Sequence, residues 1–222
     1  MKNYFSPVHF LFFVFLLGIL MMLIQVELLS FAFAKLGLPP ALGLTVLFLS
    51  LLGSVINLPV TRLKNDIPLQ EITQPISWGL LKMPLQSFRN ETLISINFGG
   101  CLIPASLSLY LFLHSTLTLP STLLGIFMMS MISYFFSRPI QGLGIGMPIL
   151  IAPISAALVA LLISPEQSAP LAYISGTLGV LIGADLLHLK DIPKLGAPHA
   201  SIGGAGTFDG IFITGIVAAL LA

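Results

Sequence analysis

Long apolar runs constrain this chain more than any other feature. The first continues from about Val8 to Ala34, which is longer than the core of a secretory signal, and no small-residue cleavage site closes it. Crossing the hydrocarbon of a bilayer takes roughly 20 apolar residues in a helix. We therefore expect this run to be a retained transmembrane helix.

Six further runs are long and apolar enough to cross a bilayer. The predicted spans are residues 8–34, 41–61, 96–113, 119–137, 147–164, 170–189 and 201–221. Pro120, Pro148 and Pro170 stand where a first helical turn tolerates a residue without an N–H group. The sequence predicts an all-α membrane protein of about seven transmembrane helices, forming a single polytopic domain over residues 1–222.

The composition excludes several classes of protein. Hydrophobic residues make up 56% of the chain and charged residues only 8%, whereas about a quarter of a soluble domain is charged. The expected environment is the lipid bilayer.

A net charge of +1 argues against a nucleic-acid partner, which requires a concentrated basic surface. Cys101 is the only cysteine, so no internal disulfide can form. Oligomerisation stays open.

The basic residues predict the orientation of the spans. If the amino terminus is cytoplasmic, all basic residues except Lys35 fall at cytoplasmic ends or loops. This bias follows the positive-inside rule for membrane proteins. It predicts that the carboxyl terminus lies outside.

The one sizeable polar piece, residues 63–95, lies between the second and third predicted spans. It contains the short alternating runs IPLQEI and ETLISIN, which are separated by Pro75, Gly79 and Pro84. Alternation interrupted by such residues is typical of strands and turns. We expect a small β-hairpin-like insertion on the cytoplasmic face.

Ionisable side chains are concentrated between Gly183 and Gly210, which hold three of the four aspartates and two of the four histidines. An ionisable side chain within a bilayer costs about 2.5–3.5 kcal/mol, so it is a functional candidate by default. Asp185 and His188 are three residues apart near the end of the sixth predicted helix, which would place them on one helical face.

Asp209 begins the seventh predicted helix after a glycine-rich run. Thr207 is a candidate cap of that helix, in which case Asp209 lies in its first turn. The glycines allow close backbone approach and are expected to form the backbone of the site; they are Gly203, Gly204, Gly206 and Gly210. Because consecutive helices are antiparallel, we expect Asp185 and Asp209 to face each other near the cytoplasmic surface.

The first function that fits this cluster is intramembrane hydrolysis. Two carboxylates that share a proton can activate a water molecule and donate to a carbonyl oxygen. Asp185 and Asp209 would be the catalytic pair, acting on a membrane-embedded peptide or lipid. An aspartyl protease of this kind needs no cofactor.

Metal binding and transport are the alternatives. The side chains available as oxygen and nitrogen ligands for zinc, iron or manganese are Asp185, His188, His199 and Asp209. A bound metal would make the protein a metal-dependent hydrolase. A carboxylate among glycine-broken helices is also typical of an ion-coupled or proton-coupled transporter.

Other polar residues in predicted spans are candidates to complete the cavity. They are Gln25 and Glu27 in the first helix, Asn57 in the second, Asn97 at the start of the third, and Tyr173 in the sixth. The glycine-rich segment from Ser137 to Pro148 resembles no phosphate-binding loop, because it lacks the GK[ST] ending. We interpret it as an entry to the fifth helix.

Two resemblances accompany these patterns. The last two helices loosely resemble the presenilin-type intramembrane aspartyl proteases, whose aspartates lie on the sixth and seventh helices, although GTFD replaces the GxGD motif at Asp209. A closer resemblance is carried by INFGGCLIP, SRPIQGLGIGMP, and GADLLHL followed by SIGGAGTFDGIFITGIVAALLA. These look like a family of uncharacterised prokaryotic multi-pass membrane proteins, a domain of unknown function. The resemblance implies a prokaryotic inner (plasma) membrane protein and supplies no activity.

Overall fold

The computed structural model describes residues 7–64, 91–140, 144–194, 199–204 and 210–222. Most of these described residues lie in seven α-helices. The helices are α1 (Pro7–Lys35), α2 (Pro40–Gly53), α3 (Ile103–His114), α4 (Leu119–Phe136), α5 (Ile151–Ile163), α6 (Ser168–Val180) and α7 (Gly210–Leu221). The expectation of a mostly helical chain with seven helices is confirmed.

Three of the described helical segments are long and apolar enough to cross a membrane. They are Phe10–Lys35, Leu119–Phe136 and Pro165–Leu186. The other apolar helices are shorter, at 10–17 residues. The second predicted span ends early, because the helix stops at Gly53 and a strand begins at Asn57. Pro59 opposes a helix that continues to residue 61, since it has no backbone donor and disfavours helical conformation in the residue before it.

Two helices are continuous with a π-helical turn. Phe98–Leu102 leads into α3, and Leu181–Leu186 extends α6. Short 3₁₀ segments lie at Pro165–Gln167 and Leu189–Lys194. Such π-turns are rare and are found frequently at functional sites.

Two small sheets lie where the helices begin or end. The first has the order β1-β2-β5: β1 (Asn57–Lys64) is antiparallel to β2 (Glu91–Asn97), and β2 is parallel to β5 (His199–Ile202). The second pairs β3 (Arg138–Ile140) with β4 (Gly144–Gly146). The predicted run ETLISIN is therefore a strand, whereas IPLQEI lies outside the described residues. The parallel partner β5 falls at the start of the seventh predicted span and was not expected.

The bundle has two distinct ends. The sheet end consists of the five strands, the two π-turns and the segment Leu189–Lys194. The opposite end, which we call the loop end, contains the turns after α1 and α3 and the 3₁₀ segment before α6. Two hydrogen bonds connect α1 and α6 to the end of α7 there. Lys35 Nζ donates to the carbonyl of Leu220 at 3.1 Å, and Ser168 Oγ donates to the carbonyl of Ala222 at 2.9 Å.

α6 is the centre of the bundle. It packs against α3, α4, α5 and α7, and the apolar segment Pro165–Leu186, which contains α6, is 72% buried over its most apolar 18 residues. Glycines permit this close packing: a Cβ atom added at Gly179 would collide with Met129 of α4, and one added at Gly183 would collide with the carbonyl of Ser130. Tyr173 is fully buried and meets Phe212 of α7 edge to face, with ring centroids 6.5 Å apart.

Candidate functional site

Asp185 lies in the π-turn at the sheet end and is half-buried. Its Oδ2 accepts a hydrogen bond from the backbone N–H of Gly203 at 2.8 Å. Gly203 directly follows β5, so this hydrogen bond connects the π-turn at the end of α6 to the three-stranded sheet. A carboxylate inside a largely apolar bundle is thereby held in one orientation by a backbone donor.

Gly203 can approach Asp185 only because it has no side chain. Its φ of +81° lies in the left-handed region. A Cβ atom added there would lie 2.6 Å from Cβ of Cys101 and 2.7 Å from the backbone N of Cys101. The backbone after β5 therefore rests directly on the π-turn that opens α3. That Gly203 forms the backbone of a functional site stays a prediction.

Asn97 organises the neighbouring backbone. It is completely buried, and its Nδ2 donates to the carbonyl of Ser54 at 2.6 Å and to Oδ1 of Asn57 at 3.1 Å. Its Oδ1 accepts from the N–H of Gly100 at 2.7 Å, which caps the π-turn. Ser201 of β5 donates to the same Asn57 oxygen at 2.8 Å. One amide thus links the end of α2, the start of β1 and the start of α3.

The sequence pointed to Asn57 and Asn97 but placed Asn57 in a helix. Asn57 is instead the first residue of β1, opposite Asn97 of β2 in the antiparallel register. Their pairing follows from a strand pairing that spans the undescribed residues 65–90. Only recognition of both strands would have revealed this network.

His188 is buried and has partners of its own. Its ring stacks on Tyr134 of α4, with centroids 4.7 Å apart, and its Nδ1 lies 3.1 Å from the carbonyl oxygen of Gly183. A carbonyl oxygen only accepts, so Nδ1 carries the proton in this contact. Asp185 accepts from Gly203, whereas His188 contacts Tyr134 and the Gly183 carbonyl. Tyr134 was not anticipated from the sequence.

The structure describes only some of the other predicted site residues. His199 begins β5 and is exposed, Gly204 follows β5, and Gly210 begins α7. Asp209, Gly206 and Thr207 lie outside the described residues. Among the described residues there is no group of three or more His, Cys, Asp and Glu side chains that could hold a metal ion.

The polar residues of the two longest spans differ in environment. Gln25 and Glu27 are exposed on α1, whereas Tyr173 is fully buried in α6. Arg138 is exposed at the start of β3. Of these residues, none is joined to Asp185 by a described hydrogen bond or ion pair.

The fold and site define an apolar helical bundle that carries a polar, sheet-bearing end. The chain belongs to the family described as "Protein of unknown function (DUF1614)", whose model matches residues 51–221. The match covers all elements from the end of α2 to α7 and leaves out α1. The sequence-based expectation of a family of unknown function is confirmed. No curated protein and no solved structure matches the chain.

Proposed function

We propose that the protein is an intramembrane hydrolase in which Asp185 and Asp209 form an aspartyl catalytic pair. The observation that carries this proposal is the hydrogen bond from Gly203 N to Asp185 Oδ2, 2.8 Å long, at the junction of the α6 π-turn, β5 and the start of α3. A carboxylate fixed by a backbone donor has the defined geometry that catalysis requires.

The packing beside Asp185 supports the choice of its partner. Ala184 and Ile211 belong to the same buried apolar cluster, together with Val180 and Leu181. Ala184 precedes Asp185 by one residue, and Ile211 follows Asp209 by two. The start of α7 is thus held against the segment that carries Asp185, which favours an approach of the two aspartates.

The bond from Gly203 suits a division of roles within the pair. An N–H donor stabilises the ionised form of a carboxylate. Asp185 would accept a proton from a water molecule while that water attacks the substrate carbonyl carbon. Asp209, protonated, would donate its proton to the carbonyl oxygen. The resulting tetrahedral intermediate would then expel the leaving group with a proton from Asp185, while one of its hydroxyl groups returns a proton to Asp209 and the carbonyl re-forms.

Exposed apolar side chains at the sheet end favour a membrane-embedded substrate. Val55 is 76% exposed after α2, and Ile149 is 86% exposed before α5. Apolar surface that continues past the helix ends is expected to remain in contact with lipid. A peptide or lipid substrate would then reach Asp185 laterally from the bilayer.

We also propose that the sheet end faces the cytoplasm of a prokaryotic cell, across the plasma membrane. The exposed cations Arg62, Lys64, Arg138 and Lys190 lie at this end, whereas Lys35 lies at the loop end. This distribution agrees with the positive-inside rule. The seven helices would then cross the bilayer in alternating directions.

The test compares carboxylate-to-amide substitutions. Purified full-length protein in liposomes is assayed against a set of quenched fluorescent transmembrane peptides. Asp185→Asn and Asp209→Asn should each lower the cleavage rate at least about 100-fold, which is the usual contribution of a general acid or base. Glu166→Gln is the matched control, since this carboxylate is exposed at the loop end, and it should leave the rate unchanged.

A metal-dependent hydrolase is the second candidate, favoured by one contact. A metal-ligating histidine commonly donates its other ring N–H to a carbonyl oxygen, as His188 Nδ1 does toward Gly183. The same assay separates the two functions. The aspartyl pair predicts activity that survives a chelator and the His188→Ala substitution, whereas loss of activity in both cases would replace it with the metal site.

A further inference from the structure

A cavity at the loop end is distinct from the Asp185 site. It has a volume of about 240 Å³ and lies between the end of α1, the end of α3 and the start of α6. Its polar lining includes Lys35, Tyr110, His114 and Gln167. The cavity is therefore large enough for a small polar group and is bordered by one fixed positive charge.

The Lys35 ammonium group, which lines this cavity, has hydrogen-bond donors left for a ligand. Its ammonium group donates to the Leu220 carbonyl at 3.1 Å and lies 5.7 Å from the centroid of the Phe31 ring. An ammonium group has three donors, so two remain after the bond to Leu220. Lys35 is also the one basic residue at the loop end within the described chain.

The helix ends around the cavity already make local hydrogen bonds. The last carbonyls of α1 and α3 already accept local bonds: Gly37 N donates to Ala34 at 2.9 Å, and Ser115 N donates to Leu111 at 2.9 Å. Glu166 lies in the 3₁₀ segment that leads into α6, and its side chain is exposed and does not line the cavity. The Lys35 ammonium is therefore the charge that borders the cavity itself, and it favours a negatively charged ligand.

His114 offers a second kind of contact. Its ring stacks on Tyr110 with centroids 4.1 Å apart, and its Nδ1 donates to the Tyr110 carbonyl at 2.9 Å. Nε2 is thus the ring nitrogen that remains available as an acceptor for a ligand hydroxyl. The cavity combines a cation, an amide and an imidazole acceptor.

We propose that this cavity binds the phosphate group of an anionic phospholipid. Lys35 and Gln167 would contact the phosphate, and His114 would accept from a headgroup hydroxyl. Apolar side chains beside the cavity are free to receive acyl chains, since Phe31 is 56% exposed, Leu109 59% and Leu113 67%. A free phosphate anion shares the headgroup chemistry but makes none of these apolar contacts.

The experiment measures binding to purified full-length protein by native mass spectrometry. The probes are dioctanoyl phosphatidylglycerol, dioctanoylglycerol without a phosphate, and inorganic phosphate. Lys35→Gln should weaken binding of phosphatidylglycerol about tenfold, as expected for loss of one charged hydrogen bond. Glutamine can still donate to Leu220, so the fold should persist. Lys64→Gln removes an exposed charge at the sheet end and should have no effect.

Each outcome decides the proposal. Selective binding of phosphatidylglycerol that depends on Lys35 and is retained in Lys35→Arg supports it, and Gln167→Leu should weaken binding as a second variant. Equal binding of dioctanoylglycerol, or an equal loss in Lys35→Gln and Lys64→Gln, would overturn it. Inorganic phosphate that binds as tightly as the lipid would assign the site to a free anion instead.

Discussion

α1 and α6 look alike as apolar sequences and behave differently in the fold. The most apolar 18 residues of the segment Phe10–Lys35 in α1 have a mean hydropathy of 2.5 and are 0% buried, whereas those of the segment Pro165–Leu186, which contains α6, have a mean hydropathy of 1.4 and are 72% buried. The less hydrophobic helix is the central one. In a bilayer, lipid chains solvate apolar side chains as well as protein does, so hydropathy does not select the buried helix.

Small residues and polar contacts account for the difference. α6 and its π-turn place Gly176, Gly179 and Gly183 against neighbouring helices, where a Cβ atom would be crowded. α1 has Gly18 with no atom within 4 Å of an added Cβ, and only its last turns pack, through residues such as Ala32 and Phe33. Close helix approach thus requires small residues on facing surfaces.

The largest difference in stability between changes in α1 and changes in α6 with its π-turn should come from replacing glycine with leucine. Gly183→Leu would drive a side chain into the Ser130 carbonyl and should destabilise the protein by about 3 kcal/mol or more. Gly18→Leu, the matched change in α1, should alter stability by less than about 0.5 kcal/mol. Thermal unfolding in detergent measures both. Equal destabilisation would show that α1 packs as tightly as α6.

A smaller difference in stability should come from removing the side-chain amides of Asn97 and Gln25. Asn97→Ala removes three hydrogen bonds of a fully buried side chain and leaves the Ser54 carbonyl and the Gly100 N–H without this partner. We expect a cost of about 1–3 kcal/mol. Gln25→Ala, on the exposed surface of α1, should be neutral. Denaturation in sodium dodecyl sulfate compares them, and a neutral Asn97→Ala would contradict the structural role of the network.

The smallest contrast lies within α1 itself. Phe33 is fully buried and packs on Gly43 of α2, whereas Phe15 is 65% exposed. Phe33→Ala should cost about 1–2 kcal/mol, less than in a soluble core, because only packing and not transfer from water is lost. Phe15→Ala should have no measurable effect on the melting temperature. A larger effect at Phe15 would place a partner on the exposed part of α1.

The helices were predictable because their signal is local. Apolar runs and prolines located α1 and α4 to within a few residues, whereas the predicted sixth span continues past the end of α6 at Val180 into the π-turn Leu181–Leu186 and beyond. The end of α2 was missed because Val55, Ile56 and Leu58 continue the apolar run into β1, and composition alone does not distinguish an apolar strand from a helix. The π-turns, likewise, have no simple sequence pattern.

The sequence singled out Asp185 and Gly203 as candidate site residues, but it did not predict their contacts. Scarcity of charge led to Asp185, and glycine content led to Gly203, but their hydrogen bond depends on the parallel pairing of β2 with β5, which are far apart in the chain. The partners of His188 depend similarly on the packing of Tyr134 from α4. Long-range pairing is therefore what the sequence did not reveal.

The most direct measurement is the separation of the Asp185 and Asp209 carboxyl groups in an experimental structure of the full-length protein. We predict oxygen atoms within about 5 Å of each other, a distance at which two carboxyls can share a proton, with the Gly203 bond to Asp185 retained. Side chains that point to opposite sides of α6 and α7 would contradict the aspartyl pair. Density coordinated by both aspartates and a histidine would assign the site to a metal.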